Sequence, residues 1–141
     1  MHRKGAVGKR PLADILVQDK SRLCGPWPGS GAVQAFHTAG GIEISGQTAI
    51  SFTHGDLVGC NVLVTPGPKP RVAAVIDWAQ AGWYPLYWEW CKAKWVDVPA
   101  GLGMDDAAQR EWRLRYLPLV VDPLPDGTIY YPWMRFAMAN L

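Results

Sequence analysis

The centre of this sequence contains a pair of short apolar runs whose ends carry oxygen-bearing side chains. Asp56 and Asn61 stand five residues apart directly before the run at 62–65, and a second run at 72–76 ends at Asp77. The residues between the runs include three prolines, which cannot donate to a strand ladder and are typical of a loop. The pattern therefore predicts a β-hairpin with three oxygen ligands at its open end.

These side chains suit phosphoryl transfer. Mg²⁺ is a hard ion that binds carboxylate and amide oxygens, keeps several waters and contacts substrate phosphates. The reaction also needs a carboxylate that accepts or orients the proton of the attacking hydroxyl. The alternative is turn chemistry, because Asp and Asn are common at strand ends, where they bond the local backbone. The joint spacing with two flanking apolar runs favours the first interpretation.

The segment around Asp56 resembles the catalytic loop of a known group of enzymes. His54-Gly55-Asp56, followed after four residues by Asn61, has the spacing of the protein-kinase catalytic loop. With Ile-Asp-Trp at 76–78, it resembles the aminoglycoside phosphotransferase and choline kinase branch of the kinase-like proteins. Gly55 departs from protein kinases, which usually have Arg at this position.

The resemblance extends beyond the loop. The stretch at 81–89 is similar to the Trp-Tyr-Pro-x-Tyr-Trp-Glu segment of the fungal members of this family. The clear similarity covers residues 51–96, with a weaker one at 22–36. Residues 58–60 depart from the usual pattern, and Gln80 stands where many relatives carry an acidic residue.

The resemblance implies a role for each site residue. Asp56 is the expected catalytic base, and Asn61 and Asp77 are the expected Mg²⁺ ligands. ATP is the expected co-substrate, and the acceptor is a hydroxyl group on a small molecule. His54 is expected to bond the backbone near Asp77, and Glu89 to hold the loop from the first turn of a helix. A base or metal-ligand role for His54, and a contact of Glu89 with a cationic substrate, are the alternatives.

The expected fold class is α+β, a protein-kinase-like fold that comprises mainly the helical C-terminal lobe with its catalytic-loop hairpin. Residues 1–21 are weakly patterned and are expected to form a flexible N-terminus, and residues 22–141 to form the lobe. Only 53 residues precede His54, too few for a complete N-terminal lobe, which is expected to be largely missing. Glu43 is the only glutamate before His54 and lies in a β-like run, and Lys20 only faintly resembles the strand lysine, so the sequence does not favour a Lys20–Glu43 pair in such a lobe.

Several further elements are predicted after the hairpin. Pro85 is expected to be the first residue of a helix that reaches about Val96, with Leu86, Trp90 and Ala93 on one stripe. Further helices are expected up to Tyr116, capped by Asp105 or Asp106, and at 133–140. The dense aromatic residues at 78–95 indicate either packing beneath the metal loop or an aromatic cage for an amine.

Composition excludes several classes of protein. A formal net charge of +2 does not favour nucleic-acid binding, and no apolar run is long enough to span a bilayer. Three widely spaced cysteines do not form a disulfide framework or a zinc site, so a cytoplasmic location is expected.

Two functions fit these observations. The first is an ATP- and Mg²⁺-dependent phosphotransferase, in a truncated form. The second is a catalytically inactive kinase-like fragment that serves as a binding module. In that case the lobe face left exposed is expected to meet a protein partner or a second copy of the chain.

Overall fold

The computed structural model describes residues 10–141, which form a mixed α+β fold with two small antiparallel sheets. The elements in chain order are α1 (Ala32–Gly40), β1 (Ile50–Thr53), a 3-10 turn (Gly59–Asn61), β2 (Val62–Val64), β3 (Val72–Val75), β4 (Gly82–Pro85), α2 (Trp88–Trp95), α3 (Asp106–Glu111), a π-helical turn (Trp112–Tyr116), α4 (Leu117–Val120), a second π-helical turn (Asp126–Tyr130) and α5 (Tyr131–Ala139). Among the described residues, no helix is long and apolar enough to cross a membrane.

The predicted hairpin is confirmed. Strands β2 and β3 pair antiparallel, with Val62 opposite Val75 and Leu63 opposite Ala74. The proline-rich loop connects them, because its prolines fit a turn better than a ladder. The side chains of Leu63, Val64 and Val72 are exposed, whereas Val62 and Val75 are partly buried against the core, so the core covers only the end of the hairpin nearest the site.

The second sheet corrects the predicted start of helix α2. Strand β1 pairs antiparallel with β4, and Pro85 is the last residue of β4, opposite Ile50. The amide of Leu86 still donates to Ala49 at 2.8 Å, so the backbone remains extended past Pro85 and the helix begins at Trp88. Leu86 is therefore outside the helix, and its side chain is 54% exposed instead of lying on the buried stripe.

The core is built around one tryptophan of helix α2. Trp88 is fully buried, and its ring stacks on Tyr84 with centroids 5.3 Å apart. It also meets Trp133 of α5 edge to face at 5.6 Å and Phe36 of α1 at 5.6 Å. Offset-stacked and edge-to-face pairs are the arrangements that aromatic rings favour. The packing interpretation of the aromatic block is therefore confirmed for these buried rings.

Two members of the aromatic block lie elsewhere. Trp78 and Trp83 are about half exposed, and both contact Phe52 of β1, with ring centroids 6.2 Å and 5.5 Å away. These two rings therefore lie on the surface around Phe52, outside the buried aromatic core.

The N-terminal segment differs from the expected flexible region over its described part. Asp14, Leu16 and Val17 are buried, because Asp14 forms hydrogen bonds with the core and the two apolar side chains pack beside it. Residues 1–9 lie outside the described residues, so the structure does not test the prediction that they are flexible.

The C-terminal helices follow the prediction closely. The Asp105 side chain accepts a hydrogen bond from the Ala108 amide at 2.8 Å and caps α3, as an N-cap aspartate does. The helical path continues through a π-helical turn to Tyr116, and α5 begins two residues earlier than predicted, at Tyr131.

Candidate active site

Three consecutive backbone amides in the loop before the hairpin are bound by side chains. Glu89, in the first turn of α2, accepts from the His54 amide at 2.6 Å and from the Gly55 amide at 3.1 Å. The Asp56 amide donates to Nδ1 of the His54 ring at 3.2 Å. Hydrogen bonds to a carboxylate are among the strong ones, so Glu89 ties the loop to the core helix.

His54 joins the two loops of the site. Its Nε2 lies 2.8 Å from the carbonyl oxygen of Ile76, and its Nδ1 accepts from the amide of Asp56. A carbonyl oxygen only accepts, so the neutral ring with its proton on Nε2 satisfies both contacts. The contact with Ile76 is the one expected of His54, and it places the residue before Asp77 against the loop that carries Asp56.

Gly55 is required by the backbone at this point. Its φ of +81° lies in the left-handed region, and a Cβ here would lie 2.7 Å from the carbonyl oxygen of Gln80. Only glycine adopts this conformation freely and permits this approach. The departure from the protein-kinase arginine therefore has a local steric reason.

Asn61 contacts Asp56 directly. Its side-chain Nδ2 donates to the Asp56 backbone oxygen at 2.9 Å and to the carboxylate oxygen Oδ2 at 3.3 Å. Because the backbone oxygen can only accept, the contact also fixes which side-chain atom is nitrogen. Among the described residues, the amide oxygen of Asn61 accepts no hydrogen bond, so it can serve as a ligand.

Asp77 follows the hairpin at the same end. The Ile76 amide donates to the Asn61 carbonyl at 2.9 Å, which extends the β2–β3 ladder by one step and brings Asp77 beside Asn61. Asp77 is exposed and has a φ of 63°, a left-handed conformation that is uncommon for residues other than glycine. Such conformations cluster at functional sites, where the surroundings hold them.

The donor set fits magnesium better than a transition metal. Within residues 10–141, no group of three or more His, Cys, Asp or Glu side chains could hold a metal ion by itself. Mg²⁺ needs no such cage, because it is usually bound by one or two carboxylates together with substrate phosphates and waters. The Asn61 amide oxygen and the Asp77 carboxylate are hard ligands of the kind that it prefers.

A cleft of about 500 Å³ adjoins the loop, and His54, Glu89, Phe52 and Trp78 are among the residues that line it. Asp122, from the segment after α4, also lines it. Because Glu89 and His54 face this cleft while also holding the loop, it adjoins the supporting side of the site.

The candidate pair of Lys20 and Glu43, which the sequence did not favour, does not form. The Lys20 ammonium donates to the backbone oxygens of Leu16 and Asn140, at 3.1 and 2.6 Å. Glu43 is paired with Arg135 at 3.4 Å on the surface. The two side chains therefore have other partners, and they do not supply the lysine–glutamate pair of a nucleotide-binding lobe.

A buried ion pair behind the site was not predicted from the sequence. Lys92 of α2 and Asp14 are 2% and 0% exposed, and their charged atoms are 2.6 Å apart. Trp88 Nε1 donates to the same Asp14 oxygen at 2.8 Å. Burial, and then the nearby Asp14 charge, raise the pKa of Tyr84, whose hydroxyl accepts from the Asp14 amide. One sequence signal existed, since Lys92 lies one turn from Trp88 on the buried stripe, where a charge requires a partner.

The chain is a mixed α+β protein in which a hairpin brings a carboxylate and an amide from one loop close to a second carboxylate, an arrangement expected of a kinase-like enzyme. The model of the Phosphotransferase enzyme family matches residues 37–124, which is more than half of the chain. The chain therefore belongs to this family. Comparisons with curated proteins and with solved structures return no significant match.

Family membership confirms the resemblance inferred from residues 51–96 and extends it on both sides. It implies a protein-kinase-like fold and suggests the transfer of phosphorus-containing groups. Kinases of this family typically use ATP and Mg²⁺.

Proposed function

We propose that the chain transfers the γ-phosphoryl group of ATP to a hydroxyl group of a small molecule, with Mg²⁺ bound at Asn61 and Asp77. The observation that carries the proposal is the contact between Asn61 and Asp56. One amide group holds the carboxylate of the expected base and still has its oxygen free for a metal. This arrangement suits phosphoryl transfer, in which positioning and charge neutralisation supply most of the catalysis.

In the proposed reaction, the acceptor hydroxyl approaches Asp56, whose carboxylate takes the proton as the oxygen–phosphorus bond forms. The bond between the γ-phosphorus and its bridging oxygen breaks, and ADP leaves with the electron pair. Asn61 keeps the Asp56 carboxylate oriented, while Glu89 and His54 keep the loop in place. Bound Mg²⁺ would neutralise charge on the phosphates.

Residues 22–141 are proposed to form the C-terminal lobe of the kinase-like fold. The α helices pack below the site, and the hairpin projects from them with exposed apolar side chains on both strands. The three cysteines are free thiols, which fits the proposed cytoplasmic location.

The first experiment is calorimetric titration of the 141-residue chain with Mg²⁺–ATP. Binding that requires Mg²⁺ and is lost in Asp77→Ala supports the proposed site. Asp19→Ala, which removes an exposed carboxylate outside the site loops, is the matched control and should bind as the unaltered chain does. Failure of the unaltered chain to bind Mg²⁺–ATP, or equal binding by Asp77→Ala, contradicts the proposal.

The role of Asp56 is tested by turnover. Asp56→Asn keeps the size of the side chain but removes the base, so ADP release with small hydroxyl compounds should fall by about 10²–10⁴-fold. Binding of Mg²⁺–ATP should remain within about threefold, because Asp56 is not a proposed metal ligand. Equal turnover in this variant would refute the assignment of Asp56 as the base.

A second function, a non-catalytic binding module, is favoured by the apolar surface of the two sheets. We define this sheet surface by its exposed apolar residues: Phe52, Leu63, Val64, Val72, Ile76, Trp78 and Trp83. Contiguous exposed apolar patches often mark interaction sites. This function predicts concentration-dependent self-association in sedimentation that Leu63→Lys weakens, together with no turnover. Monomeric behaviour at all concentrations, with measurable turnover, excludes it.

A further inference from the structure

Helix α2 holds both loops of the candidate site. Glu89, in its first turn, binds the amides of His54 and Gly55. Lys92 lies three residues further, on the same side of the helix, and its ammonium donates to Oε1 of Gln80 at 2.5 Å. Gln80 comes three residues after Asp77. One turn of helix therefore fixes the Asp56 loop through Glu89 and the Asp77 loop through Lys92.

Lys92 is a rigid anchor because its ammonium group is held inside the core by a buried ion pair. The ammonium is paired with Asp14 at 2.6 Å, and both side chains are almost completely buried. Separating a buried ion pair leaves a charge without compensation, which is strongly unfavourable. The position of the ammonium is thus set by Asp14, and Gln80 accepts from a donor that does not move.

Gln80 is held at both its side chain and its backbone. Besides Lys92, its Oε1 accepts from the Ile15 amide at 2.9 Å. Its carbonyl oxygen accepts from the Tyr84 hydroxyl at 3.3 Å and faces Gly55 across the gap that a Cβ would fill. Gln80 therefore touches the Asp56 loop while it ends the Asp77 loop.

The backbone of Asp77 gives an independent reason for such an anchor. Its left-handed φ of 63° is unfavourable for an aspartate and persists only where the surroundings hold it. On the N-terminal side, His54 holds Ile76. On the C-terminal side, the chain is held three residues further on, where Gln80 binds Lys92 and the Ile15 amide.

We infer that Gln80, fixed by the buried Lys92–Asp14 pair, is a positioning residue that holds the Asp77 loop against the Asp56 loop. The expected effect of Gln80 on Mg²⁺–ATP binding rests on the proposed function. The expected effect of Gln80 on the order of the Asp77 loop does not depend on that function. The experiment therefore measures both separately.

The test compares Gln80→Leu, which removes the acceptor, with Gln80→Glu, which keeps it. Hydrogen exchange of a peptide covering residues 76–82 should be about tenfold faster in Gln80→Leu, the effect of losing one hydrogen bond to a charged group. Mg²⁺–ATP should bind about tenfold more weakly or worse, since small displacements in such sites are costly. Gln80→Glu should restore both, and Gln34→Leu, on the exposed side of α1, should change neither.

The outcomes separate the inference from the proposed function. Unchanged exchange at 76–82 in Gln80→Leu overturns the inference, whatever the nucleotide result. If the unaltered chain does not bind Mg²⁺–ATP, the proposed function fails and the exchange rates alone decide the inference.

A second variant covers the case in which Gln80→Leu does not fold. Asp14→Asn with Lys92→Met removes both buried charges together while keeping the buried volume, and such replacements are often tolerated. The inference expects a folded protein with the same fast exchange at 76–82. Normal exchange in the folded double variant overturns it.

Discussion

Replacing Gly55 by alanine tests how closely the two site loops approach each other. The left-handed φ of +81° costs an alanine about 1–2 kcal/mol. Its Cβ would also lie 2.7 Å from the Gln80 carbonyl oxygen, a contact with rigid backbone that cannot relax as a flexible side chain would. Overpacking of this kind adds about 1–3 kcal/mol. We therefore expect Gly55→Ala to lower the free energy of unfolding by about 2–5 kcal/mol.

Gly29 provides a matched control. Its φ is +82°, almost the same as that of Gly55, but a Cβ there would meet nothing within 4 Å. Gly29→Ala therefore carries the backbone strain alone, about 1–2 kcal/mol. The difference between the two variants isolates the contact with Gln80.

Urea denaturation measures both variants. With an m-value of about 2 kcal/mol per M, Gly29→Ala should lower the midpoint by about 0.5–1 M and Gly55→Ala by about 1–2.5 M. The m-value should stay constant, since neither change alters the surface exposed on unfolding. Equal midpoints for the two variants would refute the close approach of Gly55 and Gln80 and, with it, the explanation of the glycine in this loop.

Three further predictions concern the supporting structure. Asp105→Ala should lower the free energy of unfolding by about 0.5–2 kcal/mol through loss of the α3 cap, while Asp105→Asn should be nearly neutral in the same urea titration. Burial raises the pKa of the Cys91 thiol to about 12. Iodoacetamide should therefore alkylate Cys24 and Cys60 in the native protein and spare Cys91. Mass spectrometry that finds Cys91 modified first would contradict the packing around this residue. Burial lowers the pKa of His37 below 6.5, so the unfolded state takes up a proton first as the pH falls. Stability should therefore be complete above pH 6.5 and decline below it, and His37→Gln should show a smaller decline between pH 7.5 and 5.5 than the unaltered chain.

The sequence predicts the hairpin, and it predicts that Asp56 and Asn61 lie close together, because the controlling signals are local. Two apolar runs joined by prolines specify β2 and β3. The side chains of Asp56 and Asn61, five residues apart in the sequence, are in direct contact in the structure. Helix α3 was equally predictable, since an aspartate before a helical segment is a local cap.

The parts that could not be predicted depend on contacts distant in sequence. Residues 82–85 contain no clear strand pattern, and they form β4 because they pair with β1, which lies about thirty residues earlier in the chain. The pairing of Asp14 with Lys92 spans 78 residues, and nothing near either residue identifies the other. The place of Pro85 at the end of β4 could not be predicted from nearby residues either, because a proline fits the end of a strand and the start of a helix equally well.

The two carboxylates of the candidate site are supported unequally. Asp56 is held by Asn61 and by a loop bound to Glu89 of the core helix, so its position depends on the packing of Trp88 and its neighbours. Asp77 ends a hairpin that packs on the core only through the partly buried Val62 and Val75, while Leu63, Val64 and Val72 are exposed, so packing contributes less to its position. Its loop is held by backbone contacts at Ile76 and by Gln80. Local stability follows such contacts, so the Asp77 loop should open at a lower free energy than the Asp56 loop. A partner that covers the sheet surface would therefore act mainly on the Asp77 side of the site.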